Sequence, residues 1–329
     1  MRFAWSFLLV VLLAAVAFFG ADAGGQALFG VVLPYVAMVV FLVGIAARVL
    51  SWARSTVPFR IPTTCGQQRS LPWIKPASLD NPSTGRGAAA RVLLEVLAFR
   101  SLFRNTRSEL RPGGRFTFSP DKWLWAGALA FHYAFLVVFL RHYRFFAEPV
   151  PAVVRWIEGL DGFFQVGLPV VYLTDIVLVA ALGFLLWRRL EDARLRYLSL
   201  HADYFPLALL LGIAVSGVLL RYFVRADVVR VKELAIGLVS LHPAVPQGIS
   251  PLVFAHIFLV TVLIAYFPFS KLVHMAGVFL SPTRNLANDT RMRRHVNPWN
   301  PAIVGHTYAE WEHEFHDKLK ASGIPLDEE

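Results

Sequence analysis

Cysteine is almost absent from this chain: Cys65 is the only one among 329 residues. A single thiol excludes a disulfide framework, a CxxCH attachment for covalent haem and a self-contained cysteine-ligated iron–sulfur cluster. Charge is scarce as well. Charged residues make up 16% of the chain, against about a quarter in an ordinary soluble domain. Acidic residues are the scarcer sign, 22 against 32 Lys and Arg, which leaves a formal net charge of +10. The basic residues gather in connections between apolar blocks, so this excess is a topology signal, and a nucleic-acid partner has nothing further to stand on.

What the chain has in quantity is apolar sequence, 56% of residues with a mean hydropathy of +0.54. It is concentrated in six blocks, at 3–20, 27–50, 123–146, 166–187, 205–223 and 251–270. Each approaches or exceeds the roughly 20 residues that a helix needs to span a bilayer. Helices are the only spanning solution for runs this long, because every backbone polar group must be paired within lipid. The expected fold class is an all-α polytopic transmembrane bundle. It divides into N-terminal helices (1–50), a basic loop (51–122), a main membrane domain (123–274) and a C-terminal tail (275–329).

The first block, with Arg2 ahead of it and Gly20-Ala21-Asp22-Ala23 behind it, is long for a signal sequence and reads as a retained helix. From Arg48 to Lys122 there are 13 Lys or Arg against 4 Asp or Glu, whereas residues 21–26 carry no basic residue. The positive-inside rule therefore places the long second connection, the Arg188 loop and the C-terminal tail in the cytoplasm of a bacterial inner-membrane protein. The N-terminus is cytoplasmic too if the first helix is retained. The 221–250 connection, with Arg221, Arg225, Arg230 and Lys232 against Asp227 and Glu233, leans mildly the other way.

Ionisable residues within membrane spans are expensive and usually functional. Four of the ten histidines fall in or beside two spans: His132 and His142 in the third, His256 and His274 in and just beyond the sixth. Helical rise makes these separations about 15 Å and about 27 Å. Because the third and sixth spans run in opposite directions, His132 pairs in level with His274, and His142 with His256. One imidazole from each of two facing helices is what a six-coordinate haem iron requires. The pattern therefore predicts two non-covalent b-type haems between antiparallel helices. On an ideal continuous helix His256 and His274 share a face, whereas His132 and His142 lie about 80° apart, a mismatch that tilt or local distortion must absorb. Unrelated polar histidines are one alternative. A proton or divalent-metal transporter is another, although the two spans contain no Asp or Glu to assist such a site.

Arg141 and Arg144 flank His142 and are candidates for haem propionates, with snorkelling to headgroups as the competing role. In the second connection, 88–104 reads as a basic amphipathic helix, with Val92, Val96, Phe99 and Phe103 on one side and Arg91, Glu95 and Arg100 on the other. It is expected in the headgroup plane or against a partner. Residues 307–320 are expected to form a helix on which His313 and His316 read as a solvated face, and His201 and His242 read as ordinary loop-proximal residues. Cys65 reads as a contact residue.

The paired histidine spacing over 123–274 resembles the cytochrome b subunits of the respiratory nitrate reductase gamma family. That resemblance implies His132 with His274 for a cytoplasmic-side haem, His142 with His256 for an outer one, and quinol chemistry near the outer haem. The extra N-terminal span, PFRIPTTCGQQRSLPWIKPASLDNP and RVLLEVLAFRSLFRNTR further resemble the DsrM branch, the membrane cytochrome associated with dissimilatory sulfite reductase. The branch implies electron exchange between menaquinone or ubiquinone and a DsrK-like cytoplasmic iron–sulfur subunit, in a complex with DsrJ, DsrO and DsrP-like proteins. A nitrate reductase gamma subunit oxidising quinol is the nearest alternative.

Overall fold

In the computed structural model, which describes residues 2–55, 69, 71–165, 169–281, 284–289 and 305–327, the apolar runs become helices. Cys65 and the basic stretch 291–301 lie outside the described residues. Helix α1 (Arg2–Gly20) leads through a π-helical turn, Ala21–Gly25, into α2 (Leu33–Ala53). Gly24 adopts φ 99° in that turn, a conformation a side chain would resist. The basic connection carries α3 (Gly85–Ala98), α4 (Arg100–Phe103) and a hairpin of β1 (Thr106–Arg111) and β2 (Arg115–Pro120).

The chain continues through α5 (Lys122–His142), α6 (Ala152–Asp161), the short pair β3 (Gly162–Phe164) and β4 (Val171–Tyr172), and α7 (Leu173–Glu191). Beyond it come α8 (Ala193–Leu198), α9 (His201–Val218) with a π-helical extension (Leu219–Val224), α10 (Val228–Val239), α11 (Pro251–Tyr266), α12 (His274–Leu280) and α13 (Tyr308–Ala321).

Among the described residues, five helical stretches are long and apolar enough to cross a membrane: Arg2–Gly25, Leu28–Ala53, Lys122–Phe145, His201–Val224 and Pro251–Phe269. The chain is thus a multi-pass membrane protein, with broad apolar surfaces such as Leu8, Val11 and Leu12 on α1 and Val39, Leu42 and Val43 on α2 turned outward. The fourth block is the departure. It starts at Leu173 rather than 166, and α7 carries Asp175, Arg188 and Arg189. Those charges are tied to α5 at both ends: Arg188 pairs with Asp121 at the start of α5, and Asp175 with Arg141 near its end. Two ion pairs at opposite ends fix α5 and α7 antiparallel. Helix α7 packs between α5 and α9, through Ala134, Leu178, Leu182 and Leu210. It therefore supplies the reversal of the chain between α5 and α9.

Helix α1 packs against α9 and α11, with Val10 against Ala208, Leu209 and Leu259. Ala17 and Ala21 join Phe29, Leu234 and the fully buried Phe254. Gly30 makes this approach possible, since a Cβ there would stand 2.9 Å from the Phe254 ring. Gly30→Val should lower stability by about 1–3 kcal/mol through overpacking, read as a drop in the thermal midpoint of the detergent-solubilised protein.

The expected amphipathic helix over 88–104 begins earlier and breaks near its end. Thr84 caps it by accepting from Gly87 N, and Phe99 takes the left-handed conformation (φ 49°, ψ 48°). Trp125 Nε1 and Tyr133 Oη, both on α5, donate to the carbonyls of Ala98 and Leu97. The break therefore docks the end of α3 on the membrane helix. The hairpin had its own signal: Pro112-Gly113-Gly114 turns the chain with both glycines at positive φ, between strands paired Leu110 to Phe116 and Arg111 to Arg115. Helix α13 matches its expectation, with a reciprocal Thr307–Glu310 capping box.

Asp80 anchors the segment by accepting from both Arg100 and Arg104. The Arg100 hydrogen bond holds its carboxyl below the usual carboxylate range against the opposing effect of burial, with Arg104 adding to the lowering. A depressed folded-state pKa stabilises fully above the unfolded value of about 3.9 and ceases to as pH falls through the folded value. Acidification below about pH 4 should thus loosen residues 80–104 before the bundle, and hydrogen exchange should show protection there falling first.

Candidate functional site

The four span-associated histidines meet in two pairs. The ring centroids of His132 and His274 are 6.1 Å apart, and those of His142 and His256 are 6.4 Å apart. A level-by-level pairing of this kind requires α5 and α11 to run antiparallel, which the reversal through α7 and α9 provides.

The path from His256 to His274 differs from one continuous helix. Helix α11 ends at Tyr266, Pro268 lies in a 3-10 turn, Ser270 is extended, and a second 3-10 turn leads into α12 at His274. Proline removes a backbone donor and clashes with the preceding turn, so the helix breaks there. His274 is thereby released from the single face of α11, while α5 stays helical from Lys122 to His142.

Each imidazole is oriented by a partner at Nδ1. His132 and His142 donate to the carbonyls one turn back, Ala128 and Val138, both at 2.7 Å. His274 donates to the Lys271 carbonyl at 2.8 Å. His256 Nδ1 lies 2.8 Å from Ser216 Oγ, whose own hydrogen goes to the Ile213 carbonyl at 3.0 Å, so His256 is the donor there as well. In a neutral imidazole a protonated Nδ1 leaves Nε2 as the lone-pair nitrogen. All four rings therefore have the tautomer that ligates through Nε2, held by the hydrogen bonding that commonly supports a metal-bound histidine.

The separations fit that use. A metal–imidazole bond is about 2 Å and the ring centre lies about 1 Å beyond the nitrogen, so two imidazoles on opposite sides of one iron have centroids about 6 Å apart. Gly217 on α9 faces His256, where an added Cβ would come within 3.4 Å of Cε1. His132 is met edge-on by Phe131 at 4.8 Å and by Phe99, the left-handed residue between α3 and α4, at 4.9 Å. The two pairs differ in one respect: the ring planes of His142 and His256 are inclined by 17°, and those of His132 and His274 by 83°.

The four histidines fall within a recognised family match. The sequence profile described as nitrate reductase gamma subunit matches residues 95–295, more than half of the chain, including all four histidines. The chain belongs to the nitrate reductase gamma subunit family. A relative from Archaeoglobus fulgidus, named "Hdr-like menaquinol oxidoreductase cytochrome b-like subunit", is 47% identical over 285 residues, covering 84% of this chain and 85% of its own length. A protein of the same name from Archaeoglobus profundus is 43% identical over 276 residues, covering 82% of each.

Arg141 and Arg144 are placed differently from two groups open to a propionate. Arg141, 7% exposed, lies between Asp161 (3.1 Å from its Nε) and Asp175. Arg144 pairs with Glu158 at 2.9 Å. Both guanidinium groups already face carboxylates. The acidic partners sit on α6 and α7, outside the two histidine-bearing helices, so helical spacing around the histidines does not reveal them. His313 and His316 lie on α13, away from the four paired histidines. Among the described residues, three or more His, Cys, Asp or Glu nowhere gather into a metal cluster.

Proposed function

We propose that this chain is a di-haem membrane cytochrome b that carries electrons between menaquinol and a cytoplasmic Hdr-like iron–sulfur subunit. The observation that carries the reading is the pair of histidine pairs, each at the separation of two axial ligands and each with Nδ1 committed. His132 with His274 would hold one b haem and His142 with His256 the other, supplying one-electron redox chemistry at two levels of the bilayer. The chain's own part is to fix the ligand tautomers through Ala128, Val138, Lys271 and Ser216, and to keep the ligand helices antiparallel.

The choice of menaquinol over ubiquinone, and of an Hdr-like partner, follows the names of the two Archaeoglobus relatives. The DsrM branch, with DsrK, DsrJ, DsrO and DsrP-like partners, is the finer form of the same proposal. It rests on the basic loop and on RVLLEVLAFRSLFRNTR. The basic connection, docked on α5 through Ala98 and Leu97, faces the cytoplasm by its charge and offers the partner a surface beside His132. The quinol then meets the His142–His256 level on the opposite side.

The test is a quantitative haem assay with oxidised and reduced spectra on the purified chain. Two low-spin b haems per chain, reducible by a menaquinol analogue, are expected; a folded, haem-free preparation would sink the reading. The ring planes add a second expectation. Were each pair to hold a haem at its present ring-plane angle, 83° for His132 and His274 and 17° for His142 and His256, the oxidised protein should show two distinct low-spin EPR signals. Loss of the large-g signal on replacing His274 would assign it to the perpendicular pair; its persistence would refute that assignment.

A further inference from the structure

The end of the bundle that carries His142 holds a second constellation, built from residues of five segments. Arg141 of α5 and Asp161 of α6 are each 7% exposed, and Asp175 of α7 completes the bridge to Arg141. Thr174 donates to Asp161 from its amide at 2.9 Å and its hydroxyl at 2.6 Å. Tyr222 Oη donates to Asp175 Oδ2 at 2.7 Å and accepts from the Tyr172 amide at 3.1 Å. The Tyr172 ring lies between two cations, with the guanidinium carbons of Arg141 and Arg221 3.7 and 4.2 Å from its centroid.

Two carboxylates thus balance two guanidinium groups within a membrane domain. Arg221 and Tyr222 ride on the π-helical Leu219–Val224 segment, a rare geometry that concentrates at functional sites. A clamp between α5 and α7 would need only Arg141 and Asp175. The additional hydroxyl gives Asp175 a partner that can exchange a proton with it, and the second carboxylate keeps Arg141 paired when Asp175 is neutral. Beside it an open cavity of about 420 Å³ is lined by Glu158, Gly162, Phe163, Val170 and Tyr172 among others.

We propose that Asp175, hydrogen-bonded to Tyr222, accepts the protons released when a quinol is oxidised beside the His142–His256 pair and releases them toward the Glu158 cavity, while Arg141, paired with Asp161, holds the charge of the site. This rests on the function proposed above. One quinol gives up two protons and two electrons. Each quinol O–H bond breaks with its proton passing to the Asp175 carboxylate. The electrons leave singly to the two ferric b haems that the histidine pairs would hold, and the product is the quinone. When Asp175 is neutralised, Arg141 remains paired with Asp161. Release of the proton toward Glu158 resets Asp175 for the second. The groups facing Asp175 are Arg141, with His142 next to it on α5, Asp161 on α6 across Arg141, and Tyr222, Arg221 and Tyr172.

The test uses the full chain with its co-purifying subunits, comparing Asp175→Asn, Asp175→Glu and Tyr222→Phe with the wild type. Haem content, the pH dependence of the reduction potential of each haem, and the rate of haem reduction by a soluble menaquinol analogue are measured, with dithionite reduction as control. Asp175→Asn is expected to keep both haems and to lose the pH dependence of the His142–His256 potential. It should slow quinol-driven reduction about a hundredfold, the scale of one general base. Asp175→Glu should restore much of the rate, and Tyr222→Phe should slow it severalfold. Two haems reduced by quinol at the wild-type rate with the wild-type pH profile in Asp175→Asn would overturn the proposal. Should Asp175→Asn fail to retain haem, Tyr222→Phe decides, and wild-type behaviour there overturns the proposal equally. A wild-type preparation that binds haem yet is not reduced by the quinol analogue, or that binds no haem, would instead fell the functional reading beneath it.

Discussion

Replacing His142 with Phe is expected to leave a folded protein with one haem in place of two, its reduced b-band absorbance falling by about half. The two pairs are served by separate supports: His142 and His256 by Val138 and Ser216, His132 and His274 by Ala128 and Lys271. Ten helical residues, about 15 Å along the axis, separate the two ligands on α5, so removing one does not remove the other's orienting bond. Phenylalanine occupies the imidazole's volume without a lone pair, which limits the cavity cost. His274→Phe should remove the other haem, and the double variant both. Quinol should then fail to reduce the haem remaining in His142→Phe, since its point of electron input is gone, while dithionite still does. Retention of two haems in either single variant would refute that ligand assignment.

The histidine pairing was legible because helical rise turns residue separation into depth, and depth is what a bilayer fixes. Sequence could not supply the break that brings His274 into place, although Pro268 stood in the run as its local cause. Nor could it show which way Asp175 points. A carboxylate near a helix start reads as an interfacial residue until Arg141, 34 residues earlier, is seen against it. The α3 helix was visible from its apolar spacing, but its end was not: Phe99 continues the apolar stripe in sequence, yet adopts a left-handed backbone that turns it onto His132. Tertiary docking through Trp125 and Tyr133 overrode the local pattern there. The hairpin is legible locally, since its Pro-Gly-Gly turn is a strong signal of chain reversal within the basic connection.

Arg141 and Arg144 looked equivalent in sequence, and the structure predicts that they are far from equivalent in stability. Arg141 has 8% of its side chain accessible and bridges carboxylates that are 5% and 14% accessible. Arg141→Ala strands two negative charges in a site shut off from water. Breaking a buried pair in this way costs about 3–5 kcal/mol, and here one cation is removed from two anions. Arg144 is 35% accessible and Glu158 17%; for a partly exposed pair, screened by solvent, a loss of about 1 kcal/mol or less is expected. Thermal unfolding in detergent, scanned at one rate because membrane proteins often unfold irreversibly, should therefore show a large drop in midpoint for Arg141→Ala and a small one for Arg144→Ala. The charge argument makes a sharper demand. Adding Asp161→Asn and Asp175→Asn to Arg141→Ala removes the stranded charges, so the triple variant should recover part of the lost stability despite carrying more substitutions. Recovery would show that uncompensated charge dominates. A further fall would mean that Arg141 contributes chiefly through its packing on the Tyr172 ring, which no change of carboxylate can restore.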